Sequence, residues 1–213
     1  VSKAAVSLIQ TGLRDLGYQP GPIDGLFGAK TKAANLAWLS AGGVPSGAVL
    51  SPETSAMLYQ GSARYPVTEI AVHCSATRAD WMKNDGFAAQ IAEIKRWHTD
   101  PKSAGGRGWR DIGYHWLISR SGLLRSGRLE TVIGAGIEGH NQGVIHVCLI
   151  GGFGSAETDR FDRHFTGSQN SALRDLIQMI GMRTQIGRIS GHNEWAAKAC
   201  PGFNVPTWLK EAA

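Results

Sequence analysis

In Gly191-His192-Asn193-Glu194-Trp195-Ala196-Ala197-Lys198-Ala199-Cys200-Pro201, an imidazole, a cation and a thiol share one short loop. Imidazole and thiolate are donors that zinc prefers, and a catalytic zinc site takes three protein donors and leaves a fourth position open. His192 and Cys200 supply two of them. The expected third is His73, in Thr68-Glu69-Ile70-Ala71-Val72-His73-Cys74-Ser75-Ala76-Thr77, which reads as a strand whose end points into a cleft. The same residues are open to a second chemistry, with Cys200 as nucleophile and His192 as its base. A chelator separates the two, because it stops a metalloenzyme and spares a thiol enzyme.

The chain has seven histidines and three cysteines. His98, His140, His146 and His164 are expected to be surface or packed side chains, and His115 to face away from a cleft that its neighbour Tyr114 faces. Cys74 and Cys148 sit in apolar runs and are expected to be buried reduced thiols. That usage fits synthesis in a reducing compartment.

The elements that must position these groups follow from periodicity. Val6, Ile9, Leu13 and Leu16 recur at helical steps over residues 4–17, and Gly17 can close that helix in the left-handed region. Turns are expected through Pro20-Gly21 and Asp24-Gly25. A second helix over 29–40 is expected to bury Ala33, Leu36, Ala37 and Trp38, and a third to start at Ser51-Pro52-Glu53. Residues 61–66 read as a linker.

Beyond it, strand-like and helical runs alternate, the pattern of an α/β sheet flanked by helices. Ile70, Val72 and Cys74 share one face of a strand, with His73 and Ala71 on the other. A helix over 85–98 turns Phe87, Ile91 and Ile94 inward. Residues 113–118 and 123–125 form a hairpin around Ser121-Gly122. The apolar run Val144 to Ile150 is a central strand. A helix over 168–184 buries Leu173, Leu176, Ile177 and Ile180. The ligand loop lies between a short strand near Ile189 and a last helix started by Pro206.

Composition narrows the partners. No apolar run approaches the roughly 20 residues of a spanning helix. A secretory signal is not expected in the first residues, where Gln10, Arg14 and Asp15 interrupt any apolar stretch. The 22 basic and 17 acidic residues give a net charge of +5, suited to an anionic partner such as a bacterial envelope. No basic run is interleaved with aromatics, so nucleic acid is not an expected partner.

Leu16-Gly17-Tyr18, Pro20-Gly21, Ile23-Asp24-Gly25, Phe27-Gly28 and Thr31 resemble the three-helix peptidoglycan-binding domain carried by many cell-wall hydrolases. The resemblance implies a small three-helix domain over residues 1–60. Tyr18, Asp24 and Phe27 are its expected glycan contacts, since an aromatic face and a carboxylate suit sugars.

Residues 67–213 resemble the zinc N-acetylmuramoyl-L-alanine amidases of phage T7 lysozyme type, which share a fold with animal peptidoglycan recognition proteins. The matching pieces are Val72 to Thr77, Arg107-Gly108-Trp109, Asp111 to His115, Gly127-Arg128, Gly139-His140-Asn141, Val147 to Gly152, Gly191-His192 and Lys198 to Pro201. The resemblance implies an α/β domain with a mixed central sheet and one zinc ion held by His73, His192 and Cys200. It further implies Tyr114 and Lys198 as catalytic side chains, and Trp109 and Asn141 as substrate contacts. In that reading Lys198 neutralises charge developing on the scissile carbonyl oxygen. Tyr114 holds the attacking water or passes a proton to the leaving nitrogen. Two departures stand out: Gly136 occupies a position where the T7-type pattern has histidine, and Val144 and His146 replace the small residues typical just before the central strand, which makes His146 a candidate local substitute near the site.

The expectation is a modular endolysin. One domain grips bacterial peptidoglycan while the other cuts the amide between the muramic acid lactyl group and L-alanine. A monomer, it would accumulate in the host cytoplasm until the membrane is breached and would not insert into the membrane. The same fold also admits a peptidoglycan recognition protein that does not cleave, or a bacterial wall-remodelling amidase; an intact thiol donor at Cys200 favours the enzyme.

Overall fold

A computed structural model describes residues 3–15, 17–26, 28–40 and 57–211 of the chain. Two compact units result, Val1–Pro45 and Ser46–Ala213. The expected third helix from Ser51, and Phe27, lie outside the described residues.

The first unit is built on a buried glutamine. Helix α1 (Lys3–Asp15) sets Val6, Gln10 and Leu13 inward, and Gly17 follows it at φ +85°. Gln10 is 1 % exposed. Its amide nitrogen lies 2.9 Å from Asp24 Oδ1, 3.0 Å from the Leu26 carbonyl and 3.1 Å from Thr31 Oγ1, while its oxygen accepts from Gly25 N–H. That network ties the Asp-Gly turn to both helices and settles which face of α2 (Ala29–Ser40) turns inward. Thr31 and Ala34 are buried; Ala33 and Ala37, expected inside, are exposed. Thr31 must reach both Gln10 and the Pro20 carbonyl, and a helix aimed that way carries Ala33 outward.

The second unit opens with a hairpin where a linker was expected. Strands β1 (Tyr59–Gln60) and β2 (Tyr65–Pro66) pair antiparallel. Gln60 is fully buried, donating to the Val144 carbonyl and accepting from Gly143 N–H. A polar side chain satisfied on both ends fastens the segment to the sheet instead of leaving it loose.

That sheet contains β3 (Glu69–Cys74), β4 (Trp116–Ile118), β5 (Leu124–Ser126), β6 (Val144–Leu149) and β7 (Arg188–Gly191) in the order β5-β4-β6-β3-β7. Only β5 runs antiparallel. Every residue of β3 and β6 is buried, as strands covered on both faces must be. Helix α3 (Gly86–Thr99) lays Phe87, Ile91 and Ile94 against Ile112, Leu117, Cys148 and Ile150. Helices α4 (Phe161–His164), α5 (Gly167–Gly181) and α6 (Val205–Lys210) complete the flanking layers. The α5 stripe is Ala172, Leu173, Leu176 and Ile180; Ile177, expected within it, is only half-buried.

Helix α5 starts on a capping box. Thr166 Oγ1 accepts from Gln169 N–H, and the Gln169 side chain accepts from Thr166 N–H. The Gln169 amide also donates to the Ile150 carbonyl, locking the helix start to the end of β6. Thr166→Ala is expected to cost about 1 kcal/mol of unfolding free energy, read from urea denaturation of the whole chain.

Candidate metal centre

The sheet register brings distant residues into one row. Parallel pairing of β3 with β7 ends at Val72 against Gly191, so His73 and His192 each follow directly from the last pair. Pairing of β3 with β6 sets His73 against Cys148, which in turn faces Leu117 on β4. Opposed residues in register share a face, so His73, Cys148 and Leu117 line the α3 side of the sheet. This row lies at the carboxyl ends of parallel strands, where open α/β sheets place their ligand sites.

Cys200 closes the site from the loop after β7. Asn193 N–H donates to the Cys200 carbonyl at 2.7 Å, which folds the loop back on itself. Glu194 accepts from Gly191 N–H at 2.7 Å. Trp195 Nε1 donates to Glu69 Oε1 at 3.0 Å, and Glu69 also binds Ser190 Oγ and His140 Nε2. His140 stacks on Trp195 at 3.5 Å. Glu69 is thereby a buried anchor that ties the loop to the start of β3.

One donor atom from each of His73, His192 and Cys200 falls within 4.8 Å of the others. Cys200 Sγ is 3.8 Å from Nδ1 of His73. A tetrahedral zinc with ordinary bond lengths separates a nitrogen and a sulfur donor by about 3.6 Å, so the residues fit the ion. Their charge state fits as well. Burial and then the facing His192 hold the His73 pKa well below its usual value, and burial with Lys198 lowers that of His192 to about 4. Both imidazoles are therefore neutral with a lone pair to give. A hydrogen bond with Cys74 and then burial push the Cys200 thiol up, so it would have to lose its proton to act as nucleophile or zinc ligand alike, a loss that metal binding would drive.

Tyr114 lies beside the donors, its ring centroid 5.1 Å from that of His73. Burial raises its phenol pKa well above 10, so it keeps its proton at neutral pH. Next to it comes His98, 5.3 Å away and edge-on, then Trp109 stacked on His98 at 4.9 Å. His98 Nδ1 accepts from Gly113 N–H, which fixes the ring behind the tyrosine. Lys198 is exposed on the loop between two donors, near enough for its charge to depress both histidines. The Asn141 side-chain oxygen accepts from Ile137 N–H and closes the turn before β6. Asp24 likewise commits Oδ1 to Gln10 and to Leu26 N–H, while Tyr18 is half-buried after α1.

Sequence reasoning missed Glu69 and His98 as parts of this region, whereas His146 was already a candidate substitute near the site. A carboxylate opening an apolar strand was a usable signal for Glu69. His115 does not face away but stacks on His146 at 5.7 Å; its Nδ1 accepts from His146 N–H and its Nε2 lies 2.9 Å from the Val132 carbonyl. Burial lowers its pKa to about 4. Below pH 6.5 the unfolded chain takes a proton that folded His115 refuses, so stability is full above 6.5 and falls as the pH drops toward 4. For this one group the loss by pH 4.5 is roughly 2–3 kcal/mol. Urea midpoints that do not fall between pH 7 and 4.5 would contradict this.

A mixed α/β sheet carries a His-His-Cys cluster that could hold a metal ion at its strand ends. Residues 63–203 match the N-acetylmuramoyl-L-alanine amidase family, and residues 2–34 match a peptidoglycan binding domain family. The endolysin of Escherichia phage T7 is 36 % identical over 142 residues, covering 67 % of this chain and 85 % of the relative. That of Klebsiella phage KP32 is 32 % identical over 152 residues, covering 71 % and 91 %. Among solved structures, the bumblebee peptidoglycan recognition protein PGRP-SA shares the fold, with a TM-score of 0.54 and 21 % identity over 76 % of this chain and 88 % of that one. The chain belongs to the N-acetylmuramoyl-L-alanine amidase family and is an amidase with an endolysin's modular plan.

Proposed function

We propose that the chain is a zinc-dependent endolysin that hydrolyses the amide between the muramic acid lactyl group and L-alanine of peptidoglycan. The observation that carries this is the convergence of His73, His192 and Cys200, with Lys198 and Tyr114 beside them. When bound there, zinc supplies a Lewis acid that polarises the scissile carbonyl and brings water ionisation near neutral pH. The remaining work falls to side chains. Lys198 offers a mobile cation to the oxygen on which negative charge develops. Tyr114, protonated at working pH, donates a hydrogen bond within the cleft and can return a proton toward the leaving amine. His98 packs behind the tyrosine, and Trp109, stacked on that histidine, offers a flat surface to the substrate.

Residues 1–60 hold the insoluble wall and raise the local concentration of bonds to cut. Action follows release from the host cytoplasm to the wall. A single chain supplies all three donors, so a monomer suffices. Among the described residues no helix is long and apolar enough to cross a membrane.

Mass analysis of digested peptidoglycan tests the reading. New amino groups on alanine without new reducing sugars are expected, lost on chelation and restored by zinc. New reducing ends would make the enzyme a glycosidase. Full activity in metal-stripped protein would overturn the zinc assignment.

A further inference from the structure

The sheet carries a histidine in contact with the donor cluster that the zinc reading leaves without a role. His146 is two residues before Cys148 on β6, so the register that opposes Cys148 to His73 puts His146 diagonally across from His73 on the same face. Its Nδ1 lies 3.0 Å from Nε2 of His73, and both residues are fully buried. His73 turns its other nitrogen, Nδ1, toward Cys200.

A neutral imidazole has one N–H and one lone pair. If Nδ1 of His73 is to face a metal with its lone pair, the proton must sit on Nε2, and His146 Nδ1 is the acceptor placed to receive it. His146 must then carry its own proton on Nε2. That buried atom has no hydrogen-bond partner among the described residues. A leucine would fill the space without this unsatisfied nitrogen, so packing alone does not account for a histidine here.

Two glycines make room for the ring. A Cβ at Gly136 would stand 2.5 Å from His146 Nδ1 and 2.9 Å from His73 Nε2, and one at Gly134 would collide with the His146 ring as well. The histidine that T7-type sequences carry at 136 would thus begin in the space that His146 fills. The two departures from that pattern are one exchange.

We propose that His146 is the positioning residue for the ligand His73, accepting its Nε2–H so that Nδ1 faces the metal in a fixed tautomer and ring angle. The proposal rests on the zinc reading above. It is tested on the full chain by zinc affinity in chelator competition, with the melting temperature of each metal-free variant as a check of folding. His146→Leu fills volume without an acceptor, whereas His146→Asn keeps an acceptor atom one bond beyond Cγ, where Nδ1 was. Gly136→Ala leaves the histidine in place but crowds its ring and His73 alike, so it serves, if the leucine variant does not fold, as a variant whose unchanged affinity would count against the role.

The expected result is a loss of about 10- to 100-fold in zinc affinity for His146→Leu and for Gly136→Ala, with most of it recovered in His146→Asn. Wild-type affinity in the folded leucine or alanine variant overturns the proposal while leaving the zinc site standing. A loss that asparagine does not recover shows a packing role and also overturns it. Wild-type protein that takes up no zinc overturns the zinc reading itself.

Discussion

Cys200→Ala is expected to give a folded protein that has lost most of its zinc affinity and all measurable turnover on peptidoglycan. Structural zinc sites with four donors bind with roughly 12 kcal/mol, so one donor is worth about 3 kcal/mol, or about 150-fold in affinity. The fold should persist because the thiol's other contacts are modest. Its sulfur accepts from Cys74 N–H at 3.3 Å and lies 4.0 Å from the Cys74 carbonyl. Zinc content after dialysis against a weak chelator, together with the melting temperature of the metal-free form, checks both halves. A variant that retains its zinc would remove Cys200 from the donor set.

Lys198→Ala is expected to lower kcat by about 100- to 1,000-fold with little change in KM, the signature of a group that acts on charge present only in the transition state. The lysine is exposed and its loop is held by contacts of other residues, Asn193, Glu194 and Trp195, so its removal should not disturb the donors. Lys198→Arg should recover part of the rate, since the charge survives but the point cation becomes a planar fork. Steady-state kinetics on a soluble muropeptide resolve the two constants. A rise in KM at unchanged kcat would make Lys198 a binding residue.

The donor triad was legible because zinc chemistry restricts residue types so strongly that one loop with His192 and Cys200 asks for a third partner, and His73 ends an apolar strand. The central strand was legible from continuous burial over Val144 to Leu149. The role of His146 was not, since it depends on a diagonal neighbour in another strand, and register is a property of paired chains that no single stretch carries. The face of α2 was misread for a related reason. Hydropathy favours burying Ala33 and Ala37, but the hydrogen-bond demands of Gln10 and Thr31 outrank a few methyl groups. The segment 61–66 looked loose because Gly61, Ser62 and Pro66 break the helical pattern, and the anchor that fixes it, Gln60, lies just outside. The start of α5 was legible in principle, as Thr166 and Gln169 have capping-box spacing.

The ladder between β3 and β7 has one more implication. Because His73 and His192 each come directly after the last backbone pair of this ladder, Val72 with Gly191, the gap between them is set before any ion arrives. The loop to Cys200 is held in advance as well, by Asn193 N–H on the Cys200 carbonyl and by Trp195 on Glu69. Cation capture should therefore cost little conformational entropy, unlike that of small zinc domains, which collapse when the metal is withdrawn. An endolysin built this way can wait in a metal-poor setting as a finished scaffold and become competent on loading, without having to refold.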